Sequence, residues 1–140
     1  MGTFVAMPTI EIVYSGELRT RAVHSASGSS LITDAPVDNQ GKGEAFSPTD
    51  LLATALGSCM LTIMGIAART HGLNIDGARI EITKIMRSDP RRVGEIHVVF
   101  HFEGLVVDNH GRTILERAAK TCPVALSLHP ELLQNLEFHW

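Results

Sequence analysis

The sequence predicts an α+β fold, on three observations. Short alternating segments cluster near the front: TIEIVY, ELRTRAVH and SLITD. A long uncharged segment with helical character, LLATALGSCMLTIMGIAA, follows a strong helix-start signal. A second alternating pair, ARIEITKIMR and GEIHVVFHFE, then precedes another helical stretch.

Each element has a local reason. TIEIVY ends in Ser15-Gly16, a turn signal, so residues 17–24 form a second strand and the two make a hairpin. Strand alternation puts Arg19, Arg21 and Val23 on one face of it. The SASGSS cluster separates a short third strand, and the Pro-, Gly- and Asp-rich stretch from Ala35 to Glu44 reads as a loop. These strands occupy about residues 9–34.

Ser47-Pro48-Thr49-Asp50 then begins a central helix over about 48–71. Ser47 suits the N-cap, Pro48 suits the first turn, and Asp50 stands where a capping-box acid belongs. Gly72 is the expected stop. Leu52, Leu56, Cys59, Ile63 and Ile66 share one stripe, and Ala53 with Gly57 leaves a narrow groove for close approach. A strand hairpin over about 79–103 follows, with Ile80 and Ile82 on its buried face and Asp89-Pro90 at its turn. Asp108 or Asn109 caps a second helix carrying an Arg112/Glu116 pair at i, i+4. A short helix after Pro123 and a strand near Leu136–His139 complete a carboxy-terminal segment over about 109–140. The whole chain reads as one domain, 1–140.

Composition narrows the function classes. With 44% hydrophobic and 19% charged residues, the chain is globular. A net charge of −3 and scattered basic residues argue against a nucleic-acid partner. The uncharged run from Leu51 to Ala68 approaches the length of a membrane span. Thr54, Gly57, Ser58, Thr62 and Gly65 dilute it, and a buried central helix is the expectation, with no membrane association. The amino terminus lacks a signal-like pattern, so a cytoplasmic location is expected, with Met7 a candidate natural start that would make residues 1–6 non-native.

Two cysteines are too few for a disulfide scaffold. Cys59 has apolar neighbours at one turn's spacing, Leu56 and Ile63, so a reactive thiol there needs a cation from outside its helix. Arg19 and Arg21 are the candidates. Cys122, directly before Pro123, is a plausible N-cap near the positive end of a helix, a position that favours thiolate. On the residues alone both readings stay open: a nucleophile with its resolving partner, or two small buried hydrophobes. His97 and His101 lie on one strand face about 13 Å apart, too far to share one ion. The other histidines, His139 among them, show no ligand spacing, and no metal site is expected.

The segment FSPTDLLATALGSCMLTIMGIA, followed later by AAKTCPVALSL and preceded by YSGELRTRAVH, resembles the OsmC/Ohr family. These are the osmotically inducible protein C and organic hydroperoxide resistance proteins, and the SPTDLL form is closer to the broader OsmC-like branch. The resemblance implies antiparallel sheets wrapped around two central helices in an intertwined homodimer. It implies a cofactor-free peroxidase for small organic hydroperoxides, serving oxidative-stress defence. Cys59 maps onto the peroxidatic thiol and Cys122 onto the resolving thiol that forms a disulfide with it. A dithiol or a lipoylated protein is the implied reductant.

The family's activating arginine maps onto Arg19, with Arg21 as fallback. Its partner glutamate should follow the helix-start proline, where this chain has Thr49. Asp50 is adjacent but lies about 180° around the helix from Cys59, against about 80° for Thr49. Glu44, in the preceding loop, is a candidate substitute. This departure supports two alternatives to peroxide reduction: a non-catalytic binder of a hydrophobic ligand at the dimer interface, or a thiol protein acting on another electrophile.

Overall fold

The structure, a computed structural model, describes residues 7–140, so the question of a non-native 1–6 lies outside the described residues. The chain divides into two compact units, one ending at Leu51 and the other spanning Leu52–Trp140.

The first unit is a three-stranded antiparallel sheet of β1 (Ile10–Gly16), β2 (Arg19–His24) and β3 (Ser30–Asp34), in the order β1-β2-β3. The β1–β2 turn falls at Glu17 and Leu18, later than the Ser15-Gly16 signal suggests. Both residues adopt left-handed conformations, with φ of 56° and 62°. Two successive positive φ values match the twist of a tight hairpin, at a steric cost for side chains other than glycine or asparagine. Most apolar side chains of the sheet are exposed, including Ile10, Ile12, Val13, Tyr14 and Ile32. A three-stranded sheet with so much apolar surface in water lacks a core of its own.

Helix α1 (Pro48–Thr70) starts at the boundary between the units. Its first turn carries the expected capping box. Asp50 N donates to Ser47 Oγ at 3.1 Å, and Ser47 N donates to Asp50 Oδ2 at 3.0 Å. Gly72, with φ of 67°, reverses the chain beyond its end.

In the second unit, β4 (Arg79–Arg87) pairs antiparallel with β5 (Arg92–His101), and β6 (Leu133–His139) pairs with β5 in parallel. Antiparallel pairing therefore holds for every strand pair except the last. The parallel return is made by α2 (Asn109–Lys120), whose N-cap is Asp108, and by the short α3 (Pro123–Ser127). The chain between β5 and β6 is long enough for the crossover that parallel neighbours require. Arg112 and Glu116 both engage Trp140: the guanidinium lies 5.5 Å from the ring centroid, and Glu116 Oε1 accepts the indole N–H at 3.2 Å.

The core of this unit is built from Leu56, Met60 and Met64 of α1, the Ile96/Val98/Phe100 row of β5, and Leu115 and Ala119 of α2. Phe138 stacks on Phe100 with centroids 4.5 Å apart. The buried stripe of α1 is thus centred on Met60 and Met64, rotated from the expected one, and Ile66 is exposed. The longer, unbranched methionines fill the sheet-facing positions. Gly57 explains the helix's close seat. A Cβ there would come within 2.4 Å of Ile82 Cδ1 and 2.6 Å of Ile80 Cδ1. Although α1 is long and apolar enough to cross a membrane, the face carrying Leu56, Met60 and Met64 is buried against protein.

Candidate active site

The two cysteines meet in the second unit. Cys122 is fully buried in the core, and Cys59 packs partly buried against it. Neither is in a disulfide. Cys122 occupies the N-cap of α3, and its Sγ accepts the Ala125 N–H at 3.4 Å. The sequence reading expected that position to favour thiolate. Instead the thiol is pushed up, first by burial, and further by hydrogen bonding and charge interaction with the neighbouring Cys59 sulfur. Five residues of helix make too small a dipole to offset that desolvation. Cys122 is therefore a protonated thiol at neutral pH, beside a second sulfur.

The first unit holds a separate cluster. Arg19 opens β2 and is paired in register with Asp34, the last residue of β3. Arg19 Nη2 lies 3.3 Å from Asp34 Oδ2 and 3.1 Å from Glu44 Oε1. Asp34 Oδ2 also accepts the Glu44 N–H at 2.9 Å. That amide and the Arg19 charge hold the Asp34 carboxyl below its ordinary range, against the opposing effect of burial. The Arg19 guanidinium is raised in turn, chiefly by its hydrogen bond to Glu44.

The loop that delivers Glu44 folds tightly, with Gly41 N donating to Pro36 O at 2.9 Å. Only glycine fits at position 41, because an added Cβ would lie 1.7 Å from Ala35 O. The Nε of Arg19 is buried with no hydrogen-bond partner among the described residues. The result is a fixed cation with unspent donor capacity.

The other expected residues separate from this cluster. Arg21 is exposed and reaches Ser30 Oγ at 3.4 Å, away from the two acids. Asp50 is committed to the helix cap, and Thr49 Oγ1 lies 3.2 Å from Ser47 Oγ in that same turn. Asp34 was missed. Counting the β2–β3 hairpin from its SASGSS turn would have placed it opposite Arg19, as the only acid on β3. His139 was also dismissed for lack of ligand spacing, yet parallel pairing sets it beside His101, ring centroids 5.4 Å apart.

A model of the OsmC-like protein family matches residues 41–136. No curated protein matches the chain. Among solved structures, a proposed osmotic stress induced and detoxification response protein from Psychrobacter arcticus is 53% identical. That superposition covers 97% of this chain and 98% of the other, with a TM-score of 0.92. The organic hydroperoxide resistance protein OsmC of Legionella pneumophila shares the fold at 13% identity, with a TM-score of 0.76 over 99% of this chain and 100% of that one. The organic hydroperoxide resistance protein OhrB of Bacillus subtilis does so at 18% identity, with a TM-score of 0.70 over 96% and 100%. The family match over most of the length and the 53%-identical relative lead to one conclusion: this chain belongs to the family of OsmC-like proteins.

Proposed function

We propose that the protein is a thiol-dependent peroxidase that reduces small organic hydroperoxides. The observation that carries this reading is the side-by-side placement of Cys59 and the buried Cys122. Cys59, as thiolate, attacks the O–O bond; the alkoxide leaves and takes a proton as the alcohol, and Cys59 becomes a sulfenic acid. The Cys122 sulfur then attacks Cys59, expelling water and forming a disulfide. A dithiol or a lipoylated protein returns both thiols. Keeping Cys122 protonated suits the order of events, because two adjacent thiolates would repel each other before the peroxide arrives.

In this reading Arg19, its guanidinium held by Asp34 and Glu44, keeps the activating role that the family resemblance assigns to it. We take these two carboxylates as stand-ins for the acid missing at Thr49, which weighs against the hydrophobic-ligand reading. A homodimer is part of the proposal, supported by the exposed Ile10, Ile12, Val13 and Tyr14 of β1. The reaction belongs to a reducing cytoplasm, where a disulfide is transient.

The test is turnover of cumene hydroperoxide with dithiothreitol. Cys59→Ser abolishes it. Cys122→Ser leaves the first alcohol release intact but accumulates sulfenic and sulfinic acid on Cys59, read by mass spectrometry. Full turnover by Cys59→Ser sinks the assignment.

A further inference from the structure

The outer face of the second sheet carries a side-chain cluster that the thiol chemistry does not use. His101 of β5, His139 of β6 and Glu103 offer ligand atoms that all lie within 4.8 Å of one another. Glu81 of β4 and Glu137 of β6 border them, with Glu81 Oε1 2.7 Å from His101 Nε2 and Glu137 Oε1 2.7 Å from His139 Nε2. Arg79, opposite His101 in the β4 register, pairs with Glu81 at 3.0 Å. Three carboxylates thus surround two imidazoles, with Arg79 paired to one of the three.

The cluster is poorly satisfied as it stands. His101 Nδ1 lies 3.3 Å from Glu103 Oε1 while its Nε2 faces Glu81, so both ring nitrogens point at carboxylates. A neutral imidazole has one N–H; its other nitrogen presents a lone pair. One of these two contacts therefore sets a lone pair against an anion unless a cation intervenes. The Nε2 atom is also buried and, among the described residues, makes no well-formed hydrogen bond, although Glu81 Oε1 stands 2.7 Å away. Glu137 bridges two imidazoles, its Oε1 2.7 Å from His139 Nε2 and its Oε2 3.3 Å from His97 Nε2.

Two cations could relieve this: a proton or a metal ion. The donor set favours the metal. Two imidazoles and a carboxylate are the ligands preferred by first-row divalent transition ions. A tetrahedral shell with bonds of about 2.0–2.2 Å places ligand atoms about 3.3–3.6 Å apart. Closing from the present separations takes side-chain rotation of about an ångström, on side chains with that freedom. Glu81 and Glu137 then stand as the outer carboxylates that orient metal-bound histidines.

We propose that His101, Glu103 and His139 bind one divalent transition-metal ion of the zinc class, clamping β6 to β5 on the outer face of the sheet.

The test is zinc titration of the full chain at pH 7.5 by calorimetry, with metal content measured after dialysis. Because thiols also bind zinc, the titration is repeated on Cys59→Ser/Cys122→Ser. The expected result is one zinc per chain, retained in the cysteine double variant and weakened at least tenfold by His139→Gln and by Glu103→Gln. Both substituted positions are exposed, so the variants fold. Cobalt gives visible absorption bands that the same two variants lose. The proposal is overturned if zinc is not taken up, if uptake survives both substitutions, or if it vanishes with the cysteines. It is equally overturned if the His101 and His139 ring protons titrate with pH but do not respond to zinc, because the proton alone then fills the role.

Discussion

The seat of α1 on its sheet is testable with two glycines of the same helix. Gly57 faces Ile80 and Ile82, and a Cβ would approach their Cδ1 atoms to 2.6 and 2.4 Å. Gly65, two turns on, has nothing within 4 Å of an added Cβ. Alanine gains about 1 kcal/mol over glycine in a helix interior, and this gain applies at both positions. At Gly57 it is opposed by overpacking of about 1–3 kcal/mol, because two isoleucine tips must move together.

Gly65→Ala therefore stabilises by about 1 kcal/mol, and Gly57→Ala falls below it by about 1–3 kcal/mol. Urea unfolding followed by circular dichroism reads the gap as a difference in midpoint at unchanged slope. Ile82→Val removes one of the obstructing methyls, so the pair Gly57→Ala/Ile82→Val shows a favourable coupling above about 0.5 kcal/mol. Equal midpoints for the two alanine variants would refute the packing argument, as would a double variant that is simply additive.

Three further outcomes follow from the first unit and its helix cap. Replacing Glu17-Leu18 by Asn-Gly relieves two left-handed residues and stabilises by about 1 kcal/mol; a lower urea midpoint contradicts the turn assignment. Ser47→Ala removes the N-cap of α1 and costs about 1 kcal/mol, while Ser47→Asp keeps most of it; equal loss in both denies the cap its role. The Asp34 carboxyl is held below its ordinary value, so its contribution is complete above the unfolded value of about 3.9 and is lost as pH falls through the folded one. The stability difference between wild type and Asp34→Asn is accordingly flat near neutrality and shrinks in acid. A difference unchanged down to the acid limit of folding rules the ion pair out as its source.

Much of the fold was legible because local rules act without help from distant residues. The Ser47–Asp50 cap, the Gly72 stop and the alternation of β4 and β5 are each decided within a few positions. What depends on pairing was not legible. Nothing in LEFH announces that β6 lies parallel to β5, and that register is what joins His139 to His101. Asp34 escaped notice for the same reason, since its meaning comes from standing opposite Arg19. The stripe on α1 was placed too far round because Cys59 and Ile63 count as apolar as readily as Met60 and Met64. Only the sheet decides which of them faces inward. For Cys122 the local signal, a thiol before Pro123, was read correctly as a cap. Its consequence was outweighed by burial, which a linear sequence does not display.

The parallel return of β6 also bears on how the chain is made. Translation delivers β4 and β5 together, and as an antiparallel hairpin they can pair as soon as both have emerged. The far edge of β5 stays open until two helices and β6 have followed. During that interval the core-facing Phe100 lacks its stacking partner Phe138, and an unpaired strand edge is available to other nascent chains. The newborn polypeptide is therefore most exposed to misassembly between synthesis of β5 and synthesis of β6. Cys122 emerges inside that same interval, ahead of the strand that completes the sheet.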